Sequence, residues 1–312
     1  MQRVTVLAVI AWWMPALALA HSAGDDAIHR RIEEVLFVAV LAGLAGGACL
    51  YVKGVGALWR RAGVGRGIRR VQSMNFAFGW LALAVSLLPP LDDWADRSFA
   101  MHMIQHEMLM VVAAPLIVLG RPLDAWTWAV PKRVRHGVAA IAAWHPWQIL
   151  ATVVGLPLGA WIVHAAAIWA WHLPSLFRIA LADPLVHVLQ HGCFFFSALV
   201  YWWSVFGGRA QQPKGGSIAS LFTTMLHTSA LGALLTFAPT PWYVANGARL
   251  FGLSALEDQE LGGLIMWVPG GLAYLFAALE IVHRWLVAGA VRTPWCRVGP
   301  GRMPVVPRAR RP

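Results

Sequence analysis

An all-α polytopic membrane protein with seven transmembrane helices, N-terminus outside and C-terminus inside, is the fold class this sequence predicts. Three observations predict it. Of the 312 residues, 59% are apolar and only 12% are charged, against about 25% charged in a soluble domain. The apolar residues gather into segments approaching or exceeding the ~20 residues a helix needs to cross hydrocarbon. Lys and Arg alternate from loop to loop: six at 53–70, four at 121–135, two at 209–214 and seven at 284–312, against five (Arg30, Arg31, Arg97, Arg178 and Arg249) on the other side. Cytoplasmic loops carry the excess of Lys and Arg, which places the two termini and requires an odd number of spans. The net charge of +11 therefore reads as membrane orientation. It is not a nucleic-acid footprint, because no recognised binding motif accompanies it.

In chain order, residues 1–20 hold one Arg, a short apolar run and Ala18-Leu19-Ala20, the pattern of a cleavable signal peptide. Residues 21–34 form a polar, acidic segment outside the membrane. A seven-helix domain at 35–291 follows, with spans at about 35–50, 71–88, 99–119, 147–171, 184–206, 217–237 and 261–287. Residues 125–147 hold four of the 18 tryptophans and are expected partly at the interface, which favours indole. Residues 92–96, 173–183 and 239–260 read as loops. The tail, 292–312, holds six Arg and five Pro and is expected to be disordered near anionic lipid on the cytoplasmic side. Cys49, Cys193 and Cys296 form no CxxC, which argues against a thiolate metal or redox site.

The chemistry gathers in the third span. His102 and His106 are four residues apart, so on a helix they share a face. Met110 continues the stripe and Met103 borders it. His187 and His191 repeat the spacing in span five. His172 lies at the end of span four with His164 on the same stripe, and His227 lies near the middle of span six. With the expected topology, His102 and His187 lie roughly 5 Å below the outer surface and His106 and His191 one turn deeper. Asp183 stands one turn above His187, where a carboxylate can support a metal-bound imidazole. Ionisable groups inside a membrane are costly and tend to be functional.

Three functions fit such a cluster: a copper site built from imidazole and thioether, both copper ligands; a haem held between two helices; and a proton or metal transport path. The short His separation leaves room for one haem at most. A di-iron carboxylate centre does not fit, because Glu280 and His283 alone have the Glu-x-x-His spacing. No phosphate loop and no nucleophile elbow is present. The acidic stretch 256–260 reads as an outer rim, either solvated or a docking or metal-entry surface. Gly262, Gly263, Gly270 and Gly271 permit close helix contact.

At His102-Met103-Ile104-Gln105-His106, Ala114-Pro115-Leu116-Ile117-Val118-Leu119-Gly120-Arg121-Pro122, Trp171-His172-Leu173-Pro174, His187-Val188-Leu189-Gln190-His191 and Leu256-Glu257-Asp258-Gln259-Glu260-Leu261-Gly262-Gly263 the sequence resembles the multi-span cytochrome c oxidase assembly factors of the CtaG family, linked to caa-type oxidases. The matching pieces extend from span three to span seven. The resemblance implies a copper-binding assembly protein of the bacterial inner membrane, a chaperone and not an enzyme. Its metal site would face the periplasm. Its partners would be cytochrome c oxidase subunits and periplasmic copper chaperones. Gln190 stands where an acidic residue is expected in relatives, which leaves Asp183 as the supporting carboxylate.

Overall fold

The structure, a computed structural model, describes residues 25–145, 148, 152–153, 155–207, 214–243 and 250–292. The expected signal peptide, the tail beyond Arg292, the loop at 208–213 and most of the first third of span four lie outside the described residues.

Among the described residues every regular element is helical. Helix α1 is Asp25–Ala62, α2 is Arg70–Leu87 and α3 is the short Leu91–Ala95. Helix α4, Phe99–Glu107, runs through a π-helical turn at Met108–Ala113 into α5, Ala114–Leu119. Helices α6 (Pro122–Ala129) and α7 (Lys132–Ala142) follow, then α8 (Pro157–Trp171), α9 (Pro174–Ala182), α10 (Pro184–Phe206) and α11 (Lys214–Thr236). Helix α12, Ala255–Ile265, passes through a second π-helical turn at Met266–Gly270 into α13, Gly271–Arg292.

Five stretches are long and apolar enough to cross a bilayer: Arg30–Ala62, Phe99–Leu119, Pro184–Phe206, Gly215–Thr236 and Ala255–Val287. The pair α8 and α9, bent by 74° at His172 and Leu173, makes a sixth if it is one span. Helix α2 has only 18 residues, and Arg70, Gln72, Ser73 and Asn75 make its first turns polar.

Several expected loops are helical. Asp25 to Glu34 continues α1 without a break, and so do Lys53, Arg60 and Arg61 at its other end. Residues 92–96 lie within or at the end of α3. The stretch between His172 and Asp183 is helix α9, opened by Pro174 in the first turn, where a missing N–H costs nothing. The acidic residues Glu257, Asp258 and Glu260 belong to α12, whose Ser254 and Glu257 form a reciprocal cap. Hydropathy marked the five long apolar helices but was blind to short helices that pack beside them.

Small residues set how closely these helices pack. A Cβ on Gly79 of α2 would lie 2.8 Å from the Ile117 nitrogen of α5. Tyr51 stacks on Phe76 with ring centroids 3.6 Å apart and donates its hydroxyl to the Gly120 carbonyl at 2.8 Å. Between α11 and α12, Gly232 and Gly263 face each other: a Cβ on Gly232 would lie 2.7 Å from the Gly263 oxygen and 2.8 Å from the Trp267 nitrogen. Those obstacles are backbone and cannot rotate away. The variant Gly232→Leu should therefore lose about 1–3 kcal/mol or fail to fold. Thermal unfolding in detergent checks this, and an unchanged transition would contradict the contact.

Candidate metal centre

The centre is built on α4, and α4 is anchored by α12. Its first turn offers backbone N–H groups with no helical partner. The Asp258 carboxylate takes them: Oδ2 accepts from the Phe99 amide at 2.6 Å, and Oδ1 accepts from the Ala100 amide at 3.1 Å and the Ser98 hydroxyl at 2.6 Å. With the start of α4 held, three- and four-residue spacing turns His102, Gln105 and His106 onto one buried face. Gln105 Nε2 donates to the Ser86 carbonyl and to Asp92 Oδ1, both at 2.7 Å. This ties α4 to the end of α2 and to α3.

The opposing helix, α10, is capped by Asp183, whose Oδ1 accepts from the amides of Leu185 at 2.8 Å and Val186 at 3.2 Å. The same four-residue spacing then turns His187 and His191 toward α4. Helix α8 ends at His172. There His172 Nδ1 lies 2.7 Å from the Ile168 carbonyl oxygen, which can only accept, so Nδ1 carries the proton. The Nε2 lone pair of His172 is thereby left free. The Tyr243 hydroxyl donates to the His172 carbonyl, and the amides of Trp242 and Tyr243 donate to buried Gln259 of α12. Residues Asp258 and Gln259 of α12 thus position both α4 and the end of α8.

Five imidazoles meet. Ring centroids are 4.3 Å apart for His102 and His106, 4.3 Å for His187 and His191, 5.3 Å for His106 and His191, and 5.3 Å for His102 and His187. His172 is farther, 6.2 Å from His106. One nitrogen from each of His102, His106 and His191 lies within 4.8 Å of the others. That is a spread a metal ion can close with bonds of about 2 Å after small ring movements. Both nitrogens of His102 and His106, and Nε2 of His172, His187 and His191, are buried without a hydrogen-bond partner. Buried polar atoms are normally paired. So many orphans on one set of metal-ligating rings mark a site shaped for something to bind.

Other expected members lie elsewhere. His164 Nδ1 pairs with Ser197 Oγ at 3.0 Å and its ring stacks on Tyr201 at 5.0 Å. His227 accepts from the Trp169 indole at 3.3 Å through Nδ1, so a neutral His227 carries its proton on Nε2. His227 and His164 form a separate group deeper in the bundle. Met103 packs with Phe99, Phe177, Leu235 and Tyr243, and Met110 with Ala114, Phe194 and Trp202. The described hydrogen bonds of the Asp183 carboxylate go to the cap of α10. Gln190 is fully buried beside His102.

One residue escaped sequence reasoning. Glu107 has its Oε2 buried without a partner, and a Cβ on Gly270 would lie 2.7 Å from it. The carboxylate thus packs where the second π-helical turn and a glycine make room. The signal for it was a carboxylate inside an otherwise apolar span.

The cytochrome c oxidase caa3 assembly factor (Caa3_CtaG) family matches residues 49–288, which hold every imidazole above. The chain belongs to that family. An uncharacterised protein of Mycobacterium bovis and another of Mycobacterium tuberculosis are each 25% identical over 249 residues, covering 75% of this chain and 36% of theirs. One from Mycobacterium leprae is 21% identical over 218 residues, 66% of this chain and 33% of its own. This chain spans about a third of the length of these curated relatives. No solved structure matches it. Within this Caa3_CtaG chain, the segments at 102–106, 172, 187–191 and 256–263 build or anchor the histidine cluster.

Beside the centre, Asp96 has its carboxyl raised to about 6 by a partly desolvated position and by the charges of Asp92, Asp93 and Glu33, which Arg97 partly offsets. The folded chain therefore holds that proton more tightly than the unfolded chain, whose value is near 3.8. Stability from this source is complete below the unfolded value and is lost as the pH rises through the folded one. Between about pH 4 and pH 6.5 the melting temperature of Asp96→Asn should gain on the wild type; a constant gap would rule out the coupling. Removing the Asp258 carboxylate strands three donors. Asp258→Ala should cost about 2 kcal/mol in denaturant unfolding, whereas a neutral result would show that α4 is capped in some other way.

Proposed function

We propose that this protein binds copper at His102, His106 and His191 and passes it to cytochrome c oxidase while that enzyme is assembled. The convergence of three buried imidazoles with unpartnered nitrogens carries this reading. Imidazole accepts both Cu(I) and Cu(II), and copper stands at the top of the divalent affinity order. His172, with its lone pair on Nε2, is a fourth ligand within reach. The half-buried His187 stands at the edge of the set, its ring centroid 5.3 Å from that of His102. His164 and the indole-bonded His227 are not part of this set, and Met103 and Met110 serve packing. The role is binding and delivery, without catalysis.

The proposal includes a seven-span arrangement. It counts α2 as the second span and the stretch ending in α8 as the fourth, and the loop charges put the cluster near the periplasmic face of the inner membrane. A copper ion supplied there by periplasmic chaperones would move to an oxidase subunit docked on the same face. Family membership supports the client, and the donor set supports the metal.

A haem is the second reading. His191 also stands on the wall of an apolar cavity of about 150 Å³, lined among others by Trp80, Trp126, Phe195 and Trp203. An absorption spectrum and a copper titration of the purified protein separate the two. Copper should bind at about one ion per chain and be lost in His102→Ala/His191→Ala, but kept in His227→Ala. A Soret band, or copper binding that survives the double substitution, would sink the copper reading.

A further inference from the structure

Four carboxylates lie within electrostatic reach at the end of α3. Glu33 comes from α1, and Asp92, Asp93 and Asp96 from α3 and its end; Glu33, Asp92 and Asp93 each act electrostatically on Asp96. Among the described residues, the ion pairs are Arg121 with Asp124 and Arg284 with Glu280, so none of the four is paired. Neutralisation comes only in part, from Arg97. A group of surface acids is common and by itself means little. This one is joined by a hydrogen bond to a buried side chain that also carries an unpartnered atom. Gln105, with no exposed surface, reaches Asp92 with its Nε2, while its own Oε1 is buried and unpartnered. His102 lies against the backbone of Ala95, between the acids, with both ring nitrogens unpartnered. Helix α3 packs across the first turns of α4, so the carboxylates and the first ligand of the centre share one small region.

We propose that Glu33, Asp92, Asp93 and Asp96 form a cation-collecting vestibule that feeds a metal ion past Gln105 to His102. The inference rests on the reading of the histidine cluster as a metal site. The physics is that of a charged entrance over low-dielectric walls. Clustered negative charge concentrates cations at the entrance and raises the capture rate, and the effect weakens as salt screens it. Carboxylate oxygens bind loosely a soft ion that imidazole binds firmly, so the ion moves inward. A Gln amide between the two offers an oxygen without adding a charge that would hold the ion back.

The test is the rate of metal loading. Ag(I), a redox-inert stand-in for Cu(I), is mixed as its nitrate with the full-length protein in non-ionic detergent, and tryptophan fluorescence is followed by stopped flow. The variant Glu33→Gln/Asp93→Asn changes two exposed side chains with no described hydrogen bond, so the fold is kept. Its loading should slow by about fivefold at low salt and match the wild type near about 1 M salt, with the final stoichiometry unchanged. Asp92→Asn, which weakens the link to Gln105, should slow loading further. Wild-type and variant rates that agree at low salt overturn the vestibule while leaving the metal site standing. If that variant also failed to support oxidase maturation, the acids would instead be a docking face for a basic partner. A wild type that takes up no Ag(I) overturns both the vestibule and the site, so the two failures are told apart.

Discussion

The Asp258 carboxylate, held between Ser98, Phe99 and Ala100, is the interaction on which the histidine cluster depends. A helix inside a bilayer cannot leave its first amides to water, so they must find a partner in the protein. Here the partner comes from a helix about 160 residues away in the chain. That one carboxylate fixes where α4 begins, and the start of a helix sets the direction of every side chain after it. Gln259, the next residue, does the same work at second hand. It holds the amides of Trp242 and Tyr243, and Tyr243 holds the end of α8 at His172. The acidic stretch 256–260, which reads in the sequence as an outer rim, is instead the bracket of the histidine cluster.

Depth along the bundle separates two kinds of chemistry. Near α3, five imidazoles crowd together with almost no internal hydrogen bonds. Deeper, His164 pairs through Nδ1 with Ser197 and stacks on Tyr201, leaving only its Nε2 and the Tyr201 hydroxyl unpartnered in this trio. An unsatisfied nitrogen in a low-dielectric interior is expensive, and a cluster of them persists only if the surrounding packing holds it open. The two π-helical turns, at Met108–Ala113 and Met266–Gly270, lie just below the cluster in helices that contact each other. Each wide turn shifts the register of its helix, and such turns are frequent at functional sites. The first lets the Trp202 indole donate to the Met110 carbonyl at 2.8 Å. The second leaves the space beside Gly270 that Glu107 fills.

These features support the proposed role of binding and handing on. Under the proposed reading, three nitrogens within reach of one ion would make a copper site neither saturated nor closed, with two further imidazoles at its edge. A tight four-ligand cage would hold its ion too well for delivery. Family membership and donor chemistry point in the same direction from independent starting points.

The sequence by itself determined the helical membrane class, because 59% apolar residues in long runs leave a chain in lipid no other way to satisfy its backbone. It also determined which histidines share a face, because a separation of four residues in a helix is a property of the helix alone. His102 with His106, and His187 with His191, were legible for that reason. Tertiary structure decided which faces meet. It left His164 and His227 apart, turned Met103 toward Phe99 and Phe177, and assigned Asp183 and Asp258 to helix ends. It also revealed α9 and α3, which hydropathy reads as loops because they are too short to span. Local periodicity encodes direction around one helix axis. The distance between two helices depends on glycines, caps and wide turns whose partners lie far away in the chain, and no local pattern records it.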